Sequence, residues 1–231
     1  CVEKGSGNTT TRTASVTLTL LGARASNNLA SVAHLTGRPE LALSLYRTAL
    51  LSYQRLGDRR GMAETSHNLG IAFRQLRQWT EAERAAEQAV RHADQLADAA
   101  LRGLALVGLA ELHLELKAWP LAEREIDRAA TLAAEGEDPI GVVETTRLHA
   151  LLEFGMGNAD AALRSALAAR SEARNLGSAL LEAECATVAA RAARQLGRDE
   201  EAGRLREEAE AGLTRLGAAG LLERFRNDWG A

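Results

Sequence analysis

Apolar residues recur along this chain at steps of three and four, in stretches long enough for helices, and short polar breaks separate the stretches. Leu69, Ala72, Phe73 and Leu76 show the spacing in one of them. The segment "NLGIAFRQLRQWTEAERAAEQA" at 68–89 reads as helix, break, helix, and a degraded copy, "GLAELHLELKAWPLAEREIDRA", stands at 108–129. Ala42, Ala82, Ala122, Ala161 and Ala202 follow one another at intervals of 40, 40, 39 and 41, and Ala49, Ala89, Ala129, Ala168 and Ala209 keep the same intervals. Leu29, Leu69, Leu109 and Leu148 each lie 13 residues ahead of the first alanine of a copy, with Ala189 in the fifth. A small residue follows (Ala30, Gly70, Ala110, Ala190), and His149 is the exception. Five copies in step define a repeat array.

Close packing of two antiparallel helices accounts for this pattern. A leucine beside Gly or Ala fills a hole while the neighbouring backbone comes near, and the alanines of the second helix accept that approach. The breaks "TGRPE", "RQWTE", "KAWPL", "MGNAD" and "LGRDE" are turn signals. Pro39 and Pro120 suit a first helical turn. Thr80 with Glu83 reads as a capping box, and Asn158 and Asp199 as N-caps. Gly57 and Gly177 stand where helices end, each followed by a capping side chain, Asp58 or Ser178.

These signals predict first helices (A) over 22–35, 60–76, 100–116, 140–154 and 179–195. Second helices (B) follow over 40–56, 80–96, 120–134, 159–175 and 199–215. The array therefore spans 13–217, in repeats 22–57, 60–97, 100–136, 140–176 and 179–217. A capping helix at 218–231 presents Leu221, Leu222, Phe225 and Trp229 on one face, to cover the last repeat. Residues 13–21 alternate like a strand, and are either a remnant of a preceding repeat or the start of the first helix. Residues 1–12 are polar and expected to be disordered.

Composition agrees with an all-α fold: hydrophobic residues make up 46%, aromatics only 3%, and prolines number three. A net charge of −3 supplies no broad basic field for nucleic acid or anionic lipid. The basic residues near the C-terminus (Arg191, Arg194, Arg198, Arg204, Arg206) are interleaved with acids. No apolar run approaches the length of a membrane span. Cys1 and Cys185 make neither a metal spacing nor a disulfide framework, so a reducing, cytoplasmic setting is the default.

The leucine–glycine–aromatic spacing of "NLGIAF", with the later small residues of the second helix, resembles the tetratricopeptide repeat over residues 22–217. The 40-residue unit exceeds the usual 34 of that family. It is similar to the extended repeats of bacterial transcriptional regulators and signalling ATPases, and of the kinesin light chain. The resemblance implies a right-handed α-α superhelix of five hairpins. It also implies a concave groove lined by the A helices, where a protein or peptide segment binds.

Counting from the repeat leucine places Arg24, Asn27, Asn28, Ser31 and His34 of the first copy on the inner face. The second copy contributes Glu64, His67, Asn68, Ile71 and Arg74. Glu111 and Leu114 follow from the third, with Arg147 and Arg191 from the fourth and fifth. An asparagine at Asn28 and Asn68 can bond both donor and acceptor of an extended peptide. In the resembling family this position does so; the plain alternative is that both merely bond to the next helix. Trp79 and Trp119 occupy equivalent turns and are expected to pack over them, as Tyr46 and Tyr53 are expected to pack in the core.

Catalytic chemistry is not expected. The five histidines fall at five different repeat positions, and there is no phosphate-cradling loop, nucleophile elbow or HExxH. His34 and His67 approach one another on the inner face as a chance metal or anion site, but neither a metal nor a cofactor is expected. His113 stands where helix A usually has an aromatic. Three readings remain. The first is an interaction module, the repeat domain of a larger bacterial regulator, which binds a protein or peptide segment or a neighbouring domain of its own polypeptide. The second is a small-ligand sensor. The third is a homo-oligomeric scaffold.

Overall fold

The structure, a computed structural model, describes residues 6–230, with side chains from residue 13 onward. Eleven α-helices and no strand are present among the described residues. They are α1 Ser6–Leu35, α2 Pro39–Leu56, α3 Arg59–Gln75, α4 Trp79–Leu96, α5 Ala99–Glu115, α6 Trp119–Glu135, α7 Pro139–Gly155, α8 Ala159–Asn175, α9 Ala179–Gln195, α10 Asp199–Arg215 and α11 Ala219–Gly230. Odd-numbered helices are A-type and even-numbered ones B-type. Each packs on the next, and α3, α5, α7 and α9 also touch successively along the inside. The chain is the expected all-α superhelical solenoid. Residues 13–21 belong to α1 rather than to a strand. Of the segment expected to be disordered, residues 1–5 lie outside the described residues and 6–12 are the first turns of α1.

One turn geometry, used ten times, sets the spacing. Gly37, Gly57, Arg77, Ala97, Lys117, Glu137, Gly157, Gly177, Gly197 and Gly217 stand twenty residues apart, each with a left-handed backbone. At nine of the ten, all but Ala97, the amide after the left-handed residue reaches back to a carbonyl in the last helical turn: Asp58 N to Tyr53 O at 3.0 Å, Gln78 N to Phe73 O at 2.9 Å. Asp58, Asp98 and Asp138 then cap α3, α5 and α7, accepting from the amides of Gly61, Leu101 and Gly141 at 3.0 Å each. The capping box expected at Thr80 is absent, because the turn at Arg77 starts α4 already at Trp79 and puts Gln78 in the cap position. Asn158 does occupy the cap position, but its amide donates to Glu153 at 2.7 Å. Asp199 lies inside α10, one residue after the cap position of Arg198.

The fourth copy corrects the expected register. Its period is 40 like the others: Ala162 and Ala169 are buried, whereas Ala161 is half-buried and Ala168 exposed. His149 therefore takes the leucine position, and buried Ala150 takes the small one. A slip of one residue turns a helix by about 100°, so counting to the wrong alanine exchanges faces. With that correction the small position is small in all five copies: Ala30, Gly70, Ala110, Ala150 and Ala190, all buried.

The superhelix returns on itself. α11 does cover the last repeat, with Phe225 buried in a cluster that includes Ala193, Leu205 and Leu213, flanked by Leu221, Leu222 and Trp229. It also reaches the first hairpin, which the sequence did not suggest. A methyl group placed on Gly220 would lie 3.2 Å from the Cα of Gly37 and 3.3 Å from the carbonyl oxygen of His34. Glycine at 220 lets the two backbones meet this closely.

Candidate binding chamber inside the superhelix

Because α11 touches both the last and the first hairpin, it partly closes the inside of the superhelix and leaves a half-open chamber. Its volume is about 570 Å³. The walls come from the C-terminal halves of α3, α5, α7 and α9, and from α11. Leu114, Leu151, Phe154, Val188, Leu221 and Phe225 supply the apolar lining.

A chain of ion pairs crosses it. Arg74 donates to Glu111 at 2.7 Å and to Glu115 at 3.2 Å. Arg147 reaches Glu111 at 2.7 Å and also binds Glu144. Burial alone would raise the Glu111 carboxyl, but the guanidinium groups of Arg74 and Arg147 hold it well below the usual carboxylate range. Arg191 stacks 4.7 Å above the Phe154 ring and faces Asp228 at 3.4 Å. Arg224 of α11 closes the chain on Glu115 at 2.7 Å.

Two groups in the lining are left over. Glu184 has no hydrogen-bond or ion-pair partner among the described residues. Burial pushes its carboxyl up to about 7, with Arg147 pulling the other way and Glu144 and Glu111 adding to the rise. Buried Arg74 keeps one nitrogen, Nη1, without an acceptor. At the rim, Arg77 and Lys117 form no ion pair among the described residues, and each stands two residues before a lining tryptophan, Trp79 or Trp119.

Of the residues expected on the inner face, Arg74, Glu111, Leu114, Arg147 and Arg191 meet in this chamber. The first two copies contribute less. Arg24 and Asn28 are exposed, and Glu64 pairs with Arg60 at 3.0 Å. Asn27 accepts from Thr65 at 3.1 Å and from Asn68 at 3.5 Å, and Ser31 shares a hydrogen bond with the Tyr46 hydroxyl at 3.1 Å. Asn68 thus bonds to a neighbouring helix, as the plain alternative had it. His34 and Ile71 are half-buried. His67 is buried against Gly108, where a methyl group would meet its Nδ1 at 2.6 Å, and burial lowers its imidazole to about 4.

Arg77, Lys117 and the α11 residues Arg224 and Asp228 were not anticipated as lining. Their signal was faint: Arg77 and Lys117 repeat at the 40-residue interval that Trp79 and Trp119 keep, and Arg224 and Asp228 are one helical turn apart. Trp79 and Trp119 are half-buried and also pack against core clusters, Trp119 over Gly155. Tyr46 and Tyr53 are in the core. His113 bonds to buried Glu125 at 2.5 Å, away from the chamber. Among the described residues, no three His, Cys, Asp or Glu side chains gather as a metal site, and no helix is long and apolar enough to cross a membrane.

Paired helices stacked around an inner chamber define the chain as an α-solenoid of helical hairpins. The tetratricopeptide-repeat family model matches residues 23–95, and the later hairpins continue the same 40-residue geometry. No curated protein sequence matches the chain. Among solved structures it is similar to a Rap protein complexed with competence and sporulation factor, with a TM-score of 0.75 at 12% identity over 84% of this chain. The match takes in 55% of that protein, so the chain spans about half of its length. It is also similar to the TPR-like repeats of a putative kinesin light chain from Podosopora anserina, with a TM-score of 0.56 at 17% identity, covering 84% of this chain and 95% of the other. A second crystal structure of those repeats aligns equally. At these identities the likeness is one of fold.

Proposed function

We propose that the chain is a non-catalytic interaction module that takes a short polypeptide segment into the chamber, within the regulatory repeat region of a larger bacterial regulator. The observation that carries this is a pair of groups among the lining: Arg74 Nη1, buried without an acceptor, and the half-buried Glu184 carboxyl, which forms no hydrogen bond or ion pair among the described residues. Unpaired buried polar groups are costly, and a peptide unit offers both a carbonyl and an N–H. The apolar lining receives side chains, and Arg77 and Lys117 face an acidic group near the entrance. The Rap structure, solved with competence and sporulation factor, supports a ligand-binding role for this fold.

The volume supports a second reading, a small-ligand sensor, because 570 Å³ falls within the range of about 300–1,000 Å³ common for small-molecule pockets. Equilibrium dialysis against a pooled pentapeptide library and, separately, a metabolite pool separates the two. The wild-type chain should retain a subset of pentapeptides. Leu114→Trp, which fills the chamber from a half-buried position, should retain none while keeping its helicity. Equal retention by that variant, or retention of metabolites alone, rejects the peptide reading.

A further inference from the structure

Ten charged side chains line the chamber among the described residues. Seven of them pair with one another, from Arg74 and Glu111 round to Arg191 with Asp228 and Arg224 with Glu115. Glu184, Arg77 and Lys117 are left over, and these three are sorted along the helices. The A helices stack side by side and run in one direction, so residues forty apart lie at one level. Glu184 is the sixth residue of α9, level with Glu144 of α7 and Leu104 of α5. Arg77 and Lys117 stand in the turns just beyond the ends of α3 and α5. From the level of Leu104 to Lys117 the rise of about 1.5 Å per residue gives about 20 Å. The wall between these levels is apolar, made by Leu114, Leu151, Phe154 and Val188. An unpaired acid therefore stands at one end of the chamber and two unpaired bases at the other.

We infer, resting on the peptide reading above, that the bound segment is dipolar and lies lengthwise in the chamber. A cationic group sits on Glu184, apolar side chains follow along Leu114, Leu151 and Phe154, and an anionic group ends between Arg77 and Lys117. Arg147, whose charge reaches Glu184, is already bonded to Glu111 and Glu144, so the ligand supplies the missing cation. Trp79 and Trp119 line the opposite end and exclude water there, and a charge pair strengthens as water is excluded. An extended chain spans at most about 3.3–3.6 Å per residue, so about six residues bridge the two ends. The cation is an N-terminal ammonium or a basic side chain, and the anion a C-terminal carboxylate or an acidic side chain. Both sources offer the charge-assisted hydrogen bonds that the lining leaves unmade.

Equilibrium dialysis at pH 8, where the Glu184 carboxyl is largely ionised, tests this with three hexapeptide pools of mixed apolar middles. One pool has free termini and no charged side chain. The second is acetylated and amidated, with Lys at one end and Glu at the other. The third is acetylated and amidated with Gln at both ends. The first or the second pool should be retained about tenfold more strongly than the third, and which one is retained tells whether termini or side chains supply the charges. Glu184→Gln, and separately Arg77→Gln with Lys117→Gln, should each lower that retention several-fold without altering retention of the uncharged pool. Equal retention of all three pools keeps the peptide reading and overturns the dipolar segment. So does a failure of both variants to discriminate charged from uncharged pools. Retention of no pool rejects the peptide reading and the dipolar segment together.

Discussion

Arg224 of α11 donates to Glu115 of α5 at 2.7 Å, joining residues 109 positions apart and closing the wall of the chamber. The pair is partly exposed, and pairs of that kind contribute about 1 kcal/mol or less. Phe225 beside it is buried, and truncating a buried phenylalanine costs about 3–5 kcal/mol. Arg224→Ala should therefore leave the amides of 219–230 protected in hydrogen exchange, whereas Phe225→Ala should expose them and leave α3–α9 protected.

Glu184 sets a pH dependence. Its carboxyl is raised to about 7 in the folded chain, so the folded state binds a proton more tightly than the unfolded one. Stability from this group is full below the ordinary carboxyl range and falls as pH rises towards 7. Glu184→Gln removes that loss. In urea titrations the variant should be more stable than wild type at pH 8 and equal to it at pH 4.

His67 works in the opposite sense. Its imidazole is lowered to about 4 by burial, so the folded chain resists protonation that the unfolded chain accepts. Its contribution is present above pH 6.5 and is lost as pH falls towards 4. An NMR titration should show the His67 ring neutral at pH 5.5.

The contact of His67 with Gly108 gives a packing test. A methyl group there would meet Nδ1 at 2.6 Å, inside contact distance. Overpacking of a tight core costs about 1–3 kcal/mol. Gly108→Ala should lower the melting temperature, whereas Gly203→Ala, with nothing near it, should not.

Cys185 is buried in α9, and burial pushes its thiol up to about 12. In a Cys1→Ser background it should not react with a disulfide reagent at pH 8 until denaturant is added.

The helices were legible in the sequence because the apolar steps and the turn residues agree. Gly57 and Asp58 each end or begin a helix by local geometry alone. Copy four was misread because alanine is so frequent there that identity does not reveal phase; burial of Ala162 rather than Ala161 does. Arg74 and Glu111 of the chamber were legible from their position relative to the repeat leucine, whereas Arg147 was counted from Leu148, one residue out of the true register. The closure by α11 was not legible, since the approach of Gly220 to Gly37 results from curvature accumulated over five hairpins. The same long-range geometry turns Asn27 and Asn68 towards each other.

The most direct test of the chamber as binding site is photo-crosslinking with a benzophenone-bearing pentapeptide pool, followed by mass spectrometric mapping of the adducts. Binding inside the superhelix predicts adducts on Leu114, Leu151, Phe154 and Leu221. Adducts confined to the outer B-helix positions Thr48 and Arg91, or to α1, would contradict it.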